Sequence, residues 1–201
     1  LKRLRECFEP FIEREDCIGL SIATRSDSIT DECLDYLEDI NKRTFLIVEL
    51  GLQTIHEKTS KLINRCSTLK DFTDMVKKLK RRNINVVVHI INGLPYETEE
   101  MMIETVKYLN KLNIDGIKIH MLEVLKDTPL EKYYAKNKFK ILSKEEYVNI
   151  VVKQLEYLNK EIVIHRLTAD PDKNNIIEPT WLIKKFTILN EIDKIMSTKK
   201  L

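Results

Sequence analysis

A chain of 201 residues with 34 Lys and Arg against 32 Asp and Glu is nearly neutral, at +2, which argues against a broadly basic, nucleic-acid-coating surface. Hydrophobic residues at 43% and charged residues at 33% suit a globular domain with one good core. No apolar run is long enough to cross a bilayer.

Residues 1 to about 14 place Leu4, Phe8, Phe11 and Ile12 at helical spacing. Residues 17–23 read as a short buried strand, ending in Thr24, Arg25, Ser26 and Asp27. Thr30 caps the next helix, with Cys33, Leu34, Leu37 and Ile40 as its apolar stripe. Residues 45–54 form the second strand; Glu49 lies inside its apolar run, where a carboxylate is costly unless paired or bound. A helix and turn lead to Arg65, and a long helix spans about 69–82. That helix carries Lys77, Lys78, Lys80, Arg81 and Arg82, read as a solvated C-terminal end that favours the dipole rather than a nucleic-acid patch.

Residues 86–91 lack polar alternation apart from His89 and predict a strand buried on both faces. Gly93 and Pro95 end it, and Thr98 caps a helix to about 112. Residues 116–122 are the fourth strand, and a less regular stretch with Asp127, Pro129, Tyr133 and Tyr134 follows. Ser143 and Glu146 form a capping box that opens a helix to about 158. Residues 162–167 are a fifth strand, 170–175 a polar turn, and a final helix runs from Trp181 to about Met196.

Strands alternating with helices predict an α/β fold: an incomplete TIM-like barrel of parallel strands plus a C-terminal α/β extension. The expected boundaries are residues 1–125 for the partial barrel and 126–201 for the extension packed on it. Arg25/Asp27, Glu49/Gln53, His89/Asn92, His120/Glu123 and His165/Arg166 are expected to converge at the rim where the strands end. A metal-dependent lyase built on His89, His120 and His165 is disfavoured, since they lack close ligand spacing, and no metal site is expected. Cys7, Cys17, Cys33 and Cys66 likewise show no CxxC pattern, so reduced thiols and a cytoplasmic location are the expectation. The chain opens at Leu1, inside a helical pattern and without a leader, as a fragment of a longer protein would.

Four segments then come in a telling order: Ser21-Ile22-Ala23-Thr24-Arg25-Ser26-Asp27, Val48-Glu49-Leu50-Gly51-Leu52-Gln53-Thr54, Asn64-Arg65 and Gly93-Leu94-Pro95-Tyr96-Glu97. Together they resemble the radical S-adenosylmethionine (SAM) superfamily, in the branch shared with the elongator catalytic subunit. Residues 116–120, 163–168 and 181–185 narrow the resemblance to the YhcC-like subgroup, over essentially the whole chain. It implies a partial (β/α)6 barrel with SAM across the C-terminal ends of the strands. It also implies that Gln53 and Arg65 hold the methionine carboxylate end and that His89 faces the ribose hydroxyls. Arg25 and Asp27 would lie near SAM or substrate, and the backbone at Met121 and Leu122 would take the adenine edge. Glu49 is either a further cofactor-binding residue or half of a buried ion pair. No residue is assigned a catalytic role.

The departures are specific. The three-cysteine loop that holds the family's [4Fe-4S] cluster has no match here, nor do its first two strands. Cys66 stands where relatives often have Gly, Ser26 where Pro is usual, and Tyr96 where Gly is usual. The expected function is therefore a fragment of an iron–sulfur oxidoreductase whose parent reductively cleaves SAM to a 5′-deoxyadenosyl radical acting on an unknown substrate. The cluster would belong to the parent only, and the fragment would be inactive. The alternative is a non-redox, barrel-derived binding module for RNA or a protein partner. Elongator-like relatives make tRNA a candidate substrate, and open barrel edges predict self-association.

Overall fold

A computed structural model describes residues 1–199. Helix α1 (Lys2–Ile12) precedes strand β1 (Gly19–Thr24), helix α2 (Asp31–Arg43) and strand β2 (Phe45–Gln53). Helices α3 (Glu57–Leu62) and α4 (Leu69–Arg81) lead to β3 (Asn85–Asn92), α5 (Glu99–Leu109) and β4 (Gly116–Met121). Then come β5 (Val124–Leu125), α6 (Pro129–Asn137), α7 (Lys144–Tyr157), β6 (Val163–Arg166), β7 (Ile176–Glu178) and α8 (Lys185–Lys199). The main sheet has the order β1-β2-β3-β4-β6, parallel throughout and not closed, and β5 pairs antiparallel with β7. The α/β partial barrel expected from the sequence is what forms.

Local chemistry sets the helix starts. The Thr30 hydroxyl accepts from the Cys33 N–H, Thr98 from Met101 and Ser143 from Glu146, so each helix has its first turn capped as its sequence requires. One face of the sheet carries the core: Leu46, Val48, Leu50 and Leu52 of β2 alternate outward beside Val86, Val88 and Ile90 of β3, all essentially fully buried under the helices. Burying each such side chain contributes about 1.5–3 kcal/mol. The opposite, concave face is only partly covered, and the two edges of the sheet lie open. Ile18 beside β1 is 93% exposed and Val163 on β6 is 59% exposed. Among the described residues no helix is long and apolar enough to cross a membrane.

Three local expectations change. Strand β3 is buried on both faces only at Val87; His89 and Ile91 on its concave side are half-buried, because the open sheet leaves that face uncovered. The final helix starts at Lys185, after a 3-10 turn over Thr180–Lys184, since the Trp181 indole donates to the Leu142 carbonyl at 3.0 Å and draws that turn onto the α6–α7 connection. The irregular stretch contains α6 and the β5–β7 pair, whose two or three residues per strand are too short to show a period.

Gly93 ends β3 with φ of +81°, and a Cβ there would sit 2.9 Å from the Met121 methyl carbon. Gly93→Ala should therefore cost about 1–3 kcal/mol of stability in a denaturant titration. A change under 0.5 kcal/mol would mean that the turn relaxes freely.

Candidate functional site

A cleft of about 670 Å³ opens where β1 to β4 end, within the range of small-molecule sites. Its wall is built by a short piece of local structure. After α3 the chain turns at Asn64, in the left-handed conformation with φ of +57°, and the Arg65 N–H closes back onto the Ser60 carbonyl. That C-terminal motif favours Asn or Gly at the turn and sends the following side chain back along the helix. The Arg65 guanidinium consequently reaches β2. Its Nε donates to the Ser67 carbonyl at 2.9 Å, and its Nη1 donates to the Leu52 and Thr54 carbonyls, each at 2.6 Å.

These two carbonyls flank Gln53, which has φ of +60° and follows a register shift between Gly51 and Gln53. Arg65 thus clamps the irregular end of β2 that carries Gln53. The Arg65 side chain is only 7% exposed, and its Nη2 has no hydrogen-bond partner among the described residues. Burial pushes this guanidinium below its ordinary value, with the Glu57 carboxylate at 3.9 Å opposing. Beside it, the Thr54 hydroxyl donates to Glu97 at 2.6 Å, and burial pushes the Glu97 carboxyl up against that bond.

One level below the cleft, the concave face carries a polar network across four strands. Glu49 on β2 accepts from the Ser21 hydroxyl on β1 at 2.8 Å, from His89 Nε2 on β3 at 2.6 Å and from Lys118 Nζ on β4 at 2.6 Å. Burial works to raise the Glu49 carboxyl, but the hydrogen bonds from Lys118, Ser21 and His89 outweigh it and hold it at about 2. The His120 ring stacks on His89 with centroids 5.3 Å apart, and its buried Nε2 has no partner. Burial, then the neighbouring His89, Arg166 and Lys118 charges, push His120 down to about 4, so it is neutral at pH 7.

Of the residues singled out in the sequence, Arg25, Gln53, Arg65 and Leu122 line the cleft. Asp27 pairs with Arg25 through two bonds of 2.7 and 2.9 Å, at the exposed mouth. Glu49 and His89 lie below, on the concave face. The Met121 side chain is buried on the helix side, against Gly93, and the Leu122 N–H donates to the Asn92 carbonyl. The expected rim is only partly assembled. The Asn92 side chain faces away and pairs with Gln154, and His165 lies over Gly116 lower on the sheet.

Ser21 and Lys118 join this network without being among the residues the sequence points to. Lys118 had a signal, since it is the one cation between Ile117 and Ile119 in an apolar strand. In the basic run of α4, Lys78 is held by Asp31, Lys80 by Asp115, and Arg82 by Asp35 and Glu38, as a solvated helix end would be.

A [4Fe-4S] cluster does not fit on these residues. It needs several thiolates, whereas only Cys66 lines the cleft, and no group of three His, Cys, Asp or Glu side chains is placed to hold a metal among the described residues.

Comparison with known proteins places the chain. Residues 3–109 match the family model of the Radical SAM superfamily, and residues 114–198 match that of the Radical_SAM C-terminal domain. YtqA of Bacillus subtilis (strain 168) is 45% identical over 196 residues, covering 98% of this chain and 61% of that protein. YhcC of Escherichia coli (strain K12) is 26% identical over 195 residues, covering 96% of this chain and 63% of that protein. The chain thus spans a little over three-fifths of the length of these relatives. The solved structure of archaeal Methanocaldococcus infernus Elp3 with an N-terminal deletion superposes with a TM-score of 0.79 at 22% identity, over 92% of this chain and 43% of that one, and shares the fold. Motifs, sheet topology and family models agree, and the chain belongs to the radical SAM superfamily, in its YhcC-like subgroup.

Proposed function

We propose that this chain forms the SAM-holding part of a longer radical SAM enzyme, with the cofactor lying across the ends of β1 to β4. The observation that carries the reading is Arg65 Nη2, a buried cationic amino group without a hydrogen-bond partner, in the wall of a 670 Å³ cleft beside Gln53. A buried donor left unmade is costly, and the methionine carboxylate of SAM would complete it with a charge-assisted bond. Because Nε and Nη1 already hold backbone carbonyls, Arg65 would offer its Nη2 amino group alone rather than a fork across two nitrogens, with the Gln53 amide as second donor.

In this reading His89 donates Nε2–H to Glu49 and keeps Nδ1 for a ribose hydroxyl. Arg25 and Asp27 flank the mouth, and the Leu122 carbonyl faces the adenine edge. Residues 1–125 would form the partial barrel with these side chains and residues 126–201 the extension, whose strand β6 is the fifth of the sheet. A reduced cluster held elsewhere in the longer enzyme would supply the electron for cleavage of SAM to methionine and a 5′-deoxyadenosyl radical. Its ligands would come from outside the described residues, so this chain alone would be inactive. The substrate stays open in this reading, tRNA included.

The test uses the longer enzyme, reconstituted anaerobically with iron and sulfide. Equilibrium dialysis of SAM and quantitation of 5′-deoxyadenosine should both fall about tenfold or more in Arg65→Ala and by a smaller factor in Gln53→Ala, as expected for losing one charged and one neutral hydrogen bond. Unchanged SAM affinity in both variants would sink the assignment.

A further inference from the structure

The segment from Gly93 to Glu97 ends on a carboxylate that the SAM contacts leave unused, and its presentation is rigid. The Glu97 N–H donates to the Leu94 carbonyl at 3.1 Å, closing a four-residue turn with Pro95 and Tyr96 at its corners. Tyr96 has φ of +66°, as the third residue of a type II turn requires, and Pro95 suits the second. Thr98 caps α5 directly afterwards, so Glu97 stands on a fixed stem between a tight turn and a helix start.

This carboxylate meets the two segments that carry the Arg65 clamp. On one side it accepts from the Thr54 hydroxyl at 2.6 Å, and the Thr54 carbonyl is one of the two that Arg65 Nη1 holds. The Thr54 hydroxyl also accepts from the His56 N–H at 3.1 Å, which commits its own proton to Glu97. On the other side, the buried Thr59 hydroxyl of α3 faces the same carboxylate and favours its charged form. Thr59 lies on the last turn before the reversal at Asn64. Its carbonyl accepts from the Ile63 N–H, and that of Ser60 accepts from the Arg65 N–H, each at 2.9 Å. Glu97 therefore ties the strand end that Arg65 grips to the helix that Arg65 leaves.

We propose that Glu97 is a positioning residue for SAM, holding the Arg65 and Gln53 donors at their spacing through Thr54 and Thr59. The assignment rests on the proposed SAM site and adds how its wall is held. Two hydroxyls that both donate need two accepting oxygens, and an ionised carboxylate supplies them. Protonation turns one of those oxygens into a donor and leaves one threonine bond unmade, so the wall loosens and SAM affinity drops. Burial pushes the Glu97 carboxyl above its ordinary value, which brings that loss to milder acidity. The other charged groups at this corner are Arg65, Glu57 at 3.9 Å from its Nη2, and His56, which stands 3.8 Å from Glu104 of α5.

The test measures SAM affinity of the longer, reconstituted enzyme by equilibrium dialysis from about pH 5.5 to 8. Affinity should fall as the pH drops across this range. Glu97→Gln should weaken SAM about fivefold at the upper end, as loss of a charged hydrogen bond acting at one remove, and should reduce the pH slope. Thr59→Val keeps the side-chain shape and should weaken SAM by a smaller factor, also reducing the slope. Combined with Glu97→Gln it should add nothing, because both changes break the same link. A role in folding alone would leave the slope in place. Parental affinity and slope in Glu97→Gln, with Arg65→Ala still losing SAM, would overturn this assignment and spare the SAM site. Parental affinity in Arg65→Ala would overturn both. If Glu97→Gln fails to fold by circular dichroism, Thr59→Val decides, and a parental affinity and slope there would overturn the assignment.

Discussion

Glu49→Gln should lower the unfolding free energy by about 2–3 kcal/mol at pH 7, measured by chemical denaturation. Glu49 is 12% exposed at its side chain, and Lys118 and His89 are 20% and 25% exposed, so these ions have largely left water. Removing the negative partner strands the Lys118 ammonium on a half-covered sheet face, which is why the loss exceeds that of a surface pair. It stays below the largest buried-pair losses because Lys118 keeps some solvent. Adding Lys118→Met should restore part of the stability, since the unpaired charge goes with it; the double-mutant cycle should give coupling of about 1–3 kcal/mol. Loss and coupling both below 0.5 kcal/mol would show that the network behaves as a surface ion pair. The acid limb carries the same interaction. The Glu49 carboxyl is depressed from 4.5 to about 2, so its contribution is fully present above pH 4.5 and is lost as pH falls toward 2.

The second large effect begins at milder acidity. His120 has an ordinary value of 6.5 and is held at about 4 by burial and then by the His89, Arg166 and Lys118 charges, with Glu49 opposing. Between those limits the unfolded chain carries the proton and the folded chain does not, so acid favours unfolding. Stability should therefore decline by about 3 kcal/mol as pH falls from 6.5 to 4, with no contribution from this group above 6.5. His89 is depressed as well, by burial against its bond to Glu49, and adds in the same direction. His120→Phe replaces a ring whose Nε2 is buried without a partner, so it should fold at neutral pH and lose most of this slope. An unchanged pH profile in His120→Phe would show that the ring titrates freely in the folded chain.

Both effects arise on the face of the sheet that the sequence describes least well. Glu49 was legible as an oddity, a carboxylate within an apolar strand, and so was His89. Their partnership was not, because a period of two assigns a residue to a face but says nothing about its neighbours across the strands. Register decides that. Glu49 sits level with Val87, yet its carboxylate reaches forward to His89 and across to Lys118, 69 residues away in sequence. The neutralisation of α4 is of the same kind. Its lysines meet carboxylates of α2 and of Asp115 only after the helices dock.

The sequence by itself determined the alternation of strands and helices, the caps at Thr30, Thr98 and Ser143, and the superfamily motifs, because each is written within a few adjacent residues. It also brought Arg25, Gln53 and Leu122 to one cleft, since each closes a strand or stands just beyond one and parallel strands end on the same side; Arg65 joins them from the turn after α3. Only the tertiary structure decided what those side chains do there. Arg65 became a clamp on the carbonyls around Gln53, with its Nη2 amino group left over, because the turn at Asn64 aims it back at β2. Asn92 turned to Gln154, and Glu97 came to stand against Thr54 behind that clamp. These outcomes depend on contacts between segments distant in the chain, which local patterns of polarity do not encode.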